Sequence, residues 1–241
     1  MTVPQFCSSA TTHPGATRPY NEDSFVNRPD IGLWAVADGA GGHEGGEIAS
    51  GMLRDALEAI PDSLSAAELL AEVRTKVETT HAALRSLAEQ NSRSILGAST
   101  IVVLMVRDDH FACLWAGDSR SYLLRDGILR QITHDHSLVQ ELVDAGAIRP
   151  EEADRHPQGN VITRAVGANM EEFVLDKTSD RTQSGDRFLL CSDGLYKSVQ
   201  EPELARLLGD GVDVPPTEAM IAAALAMNAT DNVTAVTVAV A

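Results

Sequence analysis

Basic residues are scarce in this chain. Nineteen Lys and Arg stand against 35 Asp and Glu over 241 residues, a formal charge of −16 with histidine neutral. Such a surface has no general attraction for nucleic acid or for an anionic membrane, so neither is an expected partner. Long apolar runs are missing too: no stretch approaches the roughly 18 residues that span a bilayer. Met1 to Gly15 carry no basic cluster followed by an apolar core, so a secretory signal is not expected. Cysteine is limited to Cys7, Cys113 and Cys191, an odd set with two members inside apolar runs. Free buried thiols in a reducing cytoplasm are therefore expected rather than disulfides. No Pro/Gly/Ser-rich linker, internal repeat or low-complexity tract divides the sequence. Residues 1–241 read as one domain, and a hydrophobic content of 44% suffices for a full core.

What the chain does have is a set of aspartates at the ends of apolar runs. Leu33 to Ala37 leads into Asp38-Gly39, Phe111 to Trp115 into Gly117-Asp118, and Phe188 to Cys191 into Ser192-Asp193-Gly194. Asp231-Asn232 opens the closing run Val233 to Val240. Short runs rich in Val, Leu, Ile and aromatics, bounded by turn residues, read as buried strands. An unpaired carboxylate in a desolvated place is costly. If the four ends converge, their repulsion calls for a cation, and an all-oxygen donor set suits magnesium or manganese.

Around these strands the periodicity predicts a helix from Glu47 to Ile60, with Ile48, Met52, Ala56 and Ile60 on one face. A second helix follows the capping box Ser65-Ala66-Ala67-Glu68 and runs through Leu69, Val73, Val77, Leu84 and Leu87. Strands are expected over Ser99 to Val106 and His110 to Ala116. Two more, Ser121 to Arg125 and Ile128 to Ile132, flank the hairpin turn Asp126-Gly127. A short helix covers Ser137 to Ala145, and Ile148 to Gly159 reads as an exposed excursion. Strands return at Phe173 to Thr178 and Phe188 to Cys191, followed by helices near Pro202 to Leu208 and Thr217 to Met227. Hairpins mixed with helix pairs argue for an α+β fold with mainly antiparallel sheets.

Several motifs fail when tested. The glycine-rich turn Asp38 to Gly46 lacks a dinucleotide fingerprint, because the third glycine would fall on Glu44. Gly97-Ala98-Ser99-Thr100 is not a nucleophile elbow, since Ile101 stands where the second glycine belongs. His134 and His136 could share one face of a strand, but no nearby Cys or third His completes a zinc site, which favours structural or surface roles. Arg18-Pro19-Tyr20-Asn21-Glu22-Asp23 combines an arginine fork suited to phosphate with two acids suited to a metal's water shell.

Taken in order, the segments resemble the metal-dependent serine/threonine protein phosphatases of the type 2C family, in particular bacterial single-domain members. They are Arg18–Asp23, Val36–His43, Gly97–Thr100, Gly117–Arg120, Thr133–Ser137, Asn160–Gly167, Gly185–Leu195 and Asp231–Thr234. The resemblance implies a four-layer αββα sandwich of two antiparallel sheets flanked by helices, with the metal centre at one edge. It implies two Mn²⁺ or Mg²⁺ ions bridged by Asp38. One is bound by the Gly39 carbonyl and by Glu22 through water, the other by Asp193 and Asp231. Asp118, with Asp193, matches the position of a third, weaker ion, and Asp23 stands behind the ligands. Arg18 would clamp the phosphate, and His43 would protonate the departing oxygen. Ala40 stands where bacterial members usually carry methionine, a departure that removes no ligand. The excursion 148–159 falls at the family's flap.

The resemblance further implies phosphorylated proteins as substrates, a cognate Ser/Thr kinase, a cytoplasmic monomer, and in some relatives a role in secretion-system regulation. A small-molecule phosphohydrolase and a non-catalytic phosphoprotein-binding relative remain as alternatives. The first would prefer free phosphate esters, and the second would bind without turnover.

Overall fold

The computed structural model describes residues 6–41, 45–91, 97–153, 155–170, 172–209 and 214–241. Its centre is two stacked five-stranded sheets in which every ladder is antiparallel. The first sheet contains β1 (Phe6–His13), β8 (Arg120–Arg125), β9 (Ile128–Gln131), β11 (Arg187–Cys191) and β12 (Val233–Val240), in the order β1-β12-β11-β8-β9. The second contains β2 (Ser24–Arg28), β3 (Leu33–Ala37), β6 (Ile101–Arg107), β7 (His110–Ala116) and β10 (Asp176–Arg181), in the order β10-β7-β6-β3-β2. A two-residue pair, β4 (Gly39–Ala40) with β5 (Ala98–Ser99), stands apart.

Strand alternation sorts the side chains into three cores. Trp34, Val36, Val102 and Leu104 point inward and meet Phe188, Leu190, Val236 and Val238 between the sheets. Their neighbours Leu33, Ala35, Ile101 and Val103 point outward beneath α1 (Gly45–Glu58) and α2 (Ala66–Gln90). On the other side Leu189, Cys191, Val233 and Ala235 pack beneath α5 (Asp193–Tyr196), α6 (Glu201–Leu208) and α7 (Pro216–Ala226). The result is the αββα layering that the resemblance implies. After β9 come two short helices, α3 (Leu138–Asp144) where one is expected and α4 (Pro150–Ala153) inside the 148–159 excursion.

Most expected elements are present, including the full capping box at Ser65 and Glu68. The Asp126-Gly127 hairpin turns with positive φ at both residues, 53° and 75°, as the tight primed turn requires. Two expectations need correction. The most buried stripe of α1 is Ala49, Leu53 and Leu57; of the expected face Ile60 is buried and Met52 packs against the core, while Ile48 is 39% exposed. Gly46 sets that rotation: a Cβ there would stand 2.8 Å from the Glu22 carboxylate oxygen and from the Gly39 backbone, so the helix presses its glycine side onto the metal-edge loop. The strand expected at Phe173 begins instead at Asp176, opposite Trp115. Phe173 stacks on His81 of α2 with ring centroids 4.5 Å apart, and Leu175 is buried in the helix-side core, which holds the chain off the ladder until Asp176. β1, β2 and α5 are additions that the periodicity does not reveal.

Candidate metal centre

Three strands and one turn deliver acids to the same edge. β3 ends at Asp38, whose backbone is fixed on both sides by the facing strand: its N–H donates to Thr100 Oγ1 (3.1 Å), and its carbonyl accepts from Thr100 N (2.9 Å) and Ser99 Oγ (3.1 Å). Thr100 Oγ1 also meets Ser119 Oγ at 2.7 Å, which couples this turn to the one carrying Asp118. Gly117 precedes Asp118 with φ of 111°, and a Cβ there would press on the Thr100 side chain, so the chain can turn only with glycine. β11 ends at Cys191, Ser192 caps the next turn, and Asp193 opens α5.

The opposite side is built from the segment before β2. Asp23 is buried and accepts from Ser192 Oγ (2.7 Å) and Thr234 Oγ1 (2.6 Å), tying that segment to the two central strands of the first sheet. Glu22 N donates to Asn232 Oδ1 (2.8 Å), and Asn232 Nδ2 donates to the carbonyls of Pro14 and Tyr20, each at 2.9 Å. Asn232 thereby holds the residue 14–22 loop around Asp231. Arg18 Nη2 donates to Asp231 Oδ2 at 3.0 Å, and both side chains are about half exposed. The Arg18 guanidinium also lies in the field of Glu22 and Asp193.

Charge shows the convergence directly. Burial first, and then repulsion from Asp23, Asp193, Asp118 and Asp231, pushes the Asp38 carboxyl well above the usual range. Burial lifts Asp23 to about 7 despite its two hydroxyl donors, with Asp193 and Asp231 adding to the rise. Burial and then Asp193 lift Asp118 to about 7, with Lys197 opposing.

Among the described residues no three or more His, Cys, Asp or Glu side chains form a ready-made ligand set. Asp231 and Asp193 are turned instead toward internal cations, Arg18 and Lys197. The donor chemistry nevertheless fits a hard divalent ion. Glu22 Oε1 and Asp23 Oδ1 are both buried without a hydrogen-bond partner, the condition in which an external cation removes a large desolvation cost. The site residues named from the sequence are thus placed around one edge, apart from His43, which lies outside the described residues.

Beside this edge opens a cleft of about 840 Å³, lined by Asp118, Asn160 and Lys197 together with Pro150, Ala153 and His156 of the 148–159 excursion. Its floor explains two motifs. Arg120 forks onto Asp135 (2.8–3.1 Å), reaches Tyr122 Oη (3.1 Å) and lies 3.7 Å from the centre of the Tyr196 ring. The Gly117–Arg120 and Thr133–Ser137 segments are joined by that fork. They are joined again by His136, whose Nδ1 accepts from Gly117 N at 3.1 Å while its ring stacks on Trp115. His134 pairs with Asp144 at 2.7 Å, so both histidines have structural partners.

Lys197, Ser192, Thr234 and the bridging role of Asn232 escape a reading of the sequence. Lys197 carries one usable signal: it stands four residues after Asp193, the spacing that puts two side chains on one helix face.

The comparisons agree with this geometry. The model of the family described as Protein phosphatase 2C matches residues 19–228. Over 228 residues the chain is 37% identical to the serine/threonine protein phosphatase PstP of Mycobacterium tuberculosis, covering 95% of this chain but 44% of that protein, so it spans less than half of its relative's length. The structure of PppA, a key regulatory component of the type VI secretion system (T6SS) in Pseudomonas aeruginosa, superposes with a TM-score of 0.90 at 38% identity over 99% of both chains. A PstP catalytic domain in complex with 2 manganese ions superposes with a TM-score of 0.88 at 34% identity, again over 99% of both chains. Sequence and layered fold agree along nearly the whole chain, which belongs to the protein phosphatase 2C family.

Proposed function

We propose that this chain is a Mn²⁺/Mg²⁺-dependent phosphatase that hydrolyses phosphoserine and phosphothreonine in proteins. The observation that carries this reading is the edge where Asp38, Asp118, Asp193 and Asp231 repel one another around the unpartnered oxygens of Glu22 and Asp23. Family membership supports the reaction class, and the 2 manganese ions of the PstP catalytic domain support the metal.

The roles are those that the family resemblance implies for these positions. Asp38 would be held in common by two ions, with the Gly39 carbonyl and Glu22 serving one of them and Asp193 and Asp231 the other. When bound, such ions acidify a water near neutral pH and neutralise charge at phosphorus during in-line displacement. Asp23, held by Ser192 and Thr234 through one oxygen and unpartnered at the other, would orient a metal-bound water from behind the ligands. Arg18, at the exposed rim, exchanges Asp231 for the substrate's phosphate oxygens, a move its half-exposed ion pair permits. His43 is the proposed acid for the departing serine or threonine oxygen. The 148–159 flap and the cleft beside it receive the polypeptide that carries the phosphate.

The substrate proteins are those of a cognate Ser/Thr kinase. The likeness to PppA supports a place in secretion-system regulation. The buried free thiols of Cys113 and Cys191 suit a reducing cytoplasm, where the chain acts as a monomer and one domain.

The test is phosphate release from a phosphothreonine peptide, first with chelator and then with Mn²⁺, comparing the natural chain with Asp193→Asn. Release that needs the metal and disappears in the variant supports the assignment. Faster turnover of free phosphate esters than of the peptide would select a small-molecule phosphohydrolase. Peptide binding without release in saturating Mn²⁺ would make the chain a binding module.

A further inference from the structure

Lys197 does something at the metal edge that neither the motifs nor the family reading assigns. It caps α5, the one-turn helix whose first residue is Asp193. The four-residue spacing brings its ammonium back over that carboxylate, and Nζ donates to Asp193 Oδ2 at 2.7 Å. The same nitrogen donates to Asn160 Oδ1 at 2.8 Å, at the point where the flap returns to the body of the protein. Although the side chain is 37% exposed, its charged end is fixed by two acceptors from separate parts of the chain. Asp118 and Asp38 lie within its field as well, and Lys197 opposes the burial of Asp118.

Asp118 and Asp193 are the two carboxylates matched to a third, weaker ion, and Lys197 puts a positive charge beside both. An ammonium bonded to a carboxylate oxygen and a divalent cation seeking that oxygen repel each other, and the ammonium is tethered while the ion must come from solution. We infer that Lys197 is a resident cation at the Asp118–Asp193 position: its ammonium takes the place of a third metal ion and, through Asn160, ties the end of the flap to the metal edge. This rests on the ligand assignment proposed above. It makes the chain a two-ion centre with one covalently attached counter-charge, and a flap anchor that needs no metal.

The experiment counts Mn²⁺ bound to chelator-stripped protein, by calorimetry and by the electron paramagnetic resonance of free Mn²⁺. It compares the natural chain, Lys197→Gln, Lys197→Arg and Asp38→Asn. The natural chain should bind two ions, and Lys197→Gln should gain a third at least ten times tighter than any further binding in the natural chain. Lys197→Arg, which keeps the charge, should titrate like the natural chain. Amide hydrogens of residues 148–160 should exchange faster in metal-free Lys197→Gln than in metal-free natural chain. Three ions on the natural chain, or an unchanged titration for Lys197→Gln, would overturn the inference while leaving the ligand assignment intact. Undiminished Mn²⁺ binding by Asp38→Asn would overturn the ligand assignment itself, and the role of Lys197 with it.

Discussion

Asp186 and Asp38 both stand at strand ends in this sandwich, one just before β11 and the other just after β3, and the fold treats them in opposite ways. Asp186 is 1% exposed and fully provided for: Arg125 forks onto its two oxygens at 2.7 and 2.6 Å, and Gln183 N donates at 2.8 Å. Among the described residues Asp38 receives no such fork, and four other carboxylates push on it. The same chain that places an arginine against Asp186, and another against Asp135, surrounds Asp38 with more negative charge. A buried acid that serves the fold is given its counter-charge in the sequence. Asp38, left in a repelling cluster, is the acid proposed above to meet a cation from outside.

The largest test of that contrast is Asp38→Asn. Turnover should fall by more than the roughly 100-fold that loss of a supporting partner costs a metal site. The metal-free variant should melt no lower than the natural chain, because one repelling charge is gone. A clear drop in melting temperature would place Asp38 with Asp186 as a structural acid. Arg125→Ala should do the reverse: stability falls by about 2–4 kcal/mol, below the upper range for a buried pair because Arg125 is partly exposed, while turnover per folded molecule is unchanged. Urea titration and a phosphatase assay on the same preparation separate the two outcomes.

Arg18–Asp231 is the intermediate case, an ion pair at the rim with both partners about half exposed. Arg18→Ala should raise KM about tenfold with a smaller change in kcat, the worth of one charge-assisted hydrogen bond of ~1.5 kcal/mol. An unaltered KM would leave Arg18 as a partner of Asp231 only.

The mildest test is pH. Asp23 and Asp118 are held at about 7 by burial, above an ordinary value of 3.8. Acids raised in this way bind more protons folded than unfolded, so the metal-free fold is favoured at low pH and loses stability as pH rises from about 4 to about 7. Chelated protein should therefore melt lower at pH 7.5 than at pH 5.5. Mn²⁺ should narrow or invert that gap, because it binds the deprotonated acids. A chelated protein whose melting temperature rises over this interval would show that other groups dominate the edge.

The layered fold is largely legible in the sequence because a short apolar run bounded by turn residues is a local signal. Leu33 to Ala37 and Ile101 to Val106 bury both faces, and turn residues mark their ends. The aspartates were legible for the same reason, since each closes or opens an apolar run. What stayed hidden depends on distant partners. β1 reads FCSSATTH, with little apolar character, and becomes a strand because all eight residues pair with β12. The rotation of α1 is set by contact between Gly46, Gly39 and Glu22, which no helical periodicity records. Lys197 went unnoticed because α5 is only one turn long, too short for a period to emerge.

The bond between Asp23 and Thr234 joins residues 211 positions apart, and β1 reaches its partner strand across a similar span. On a ribosome this edge cannot close until β12 has emerged, because the acids delivered early have nothing to lean on until the last strand arrives. Contacts of such long sequence separation form late and slowly. The acids of this edge are therefore delivered early and gathered late, and the site assembles only once β12 is in place.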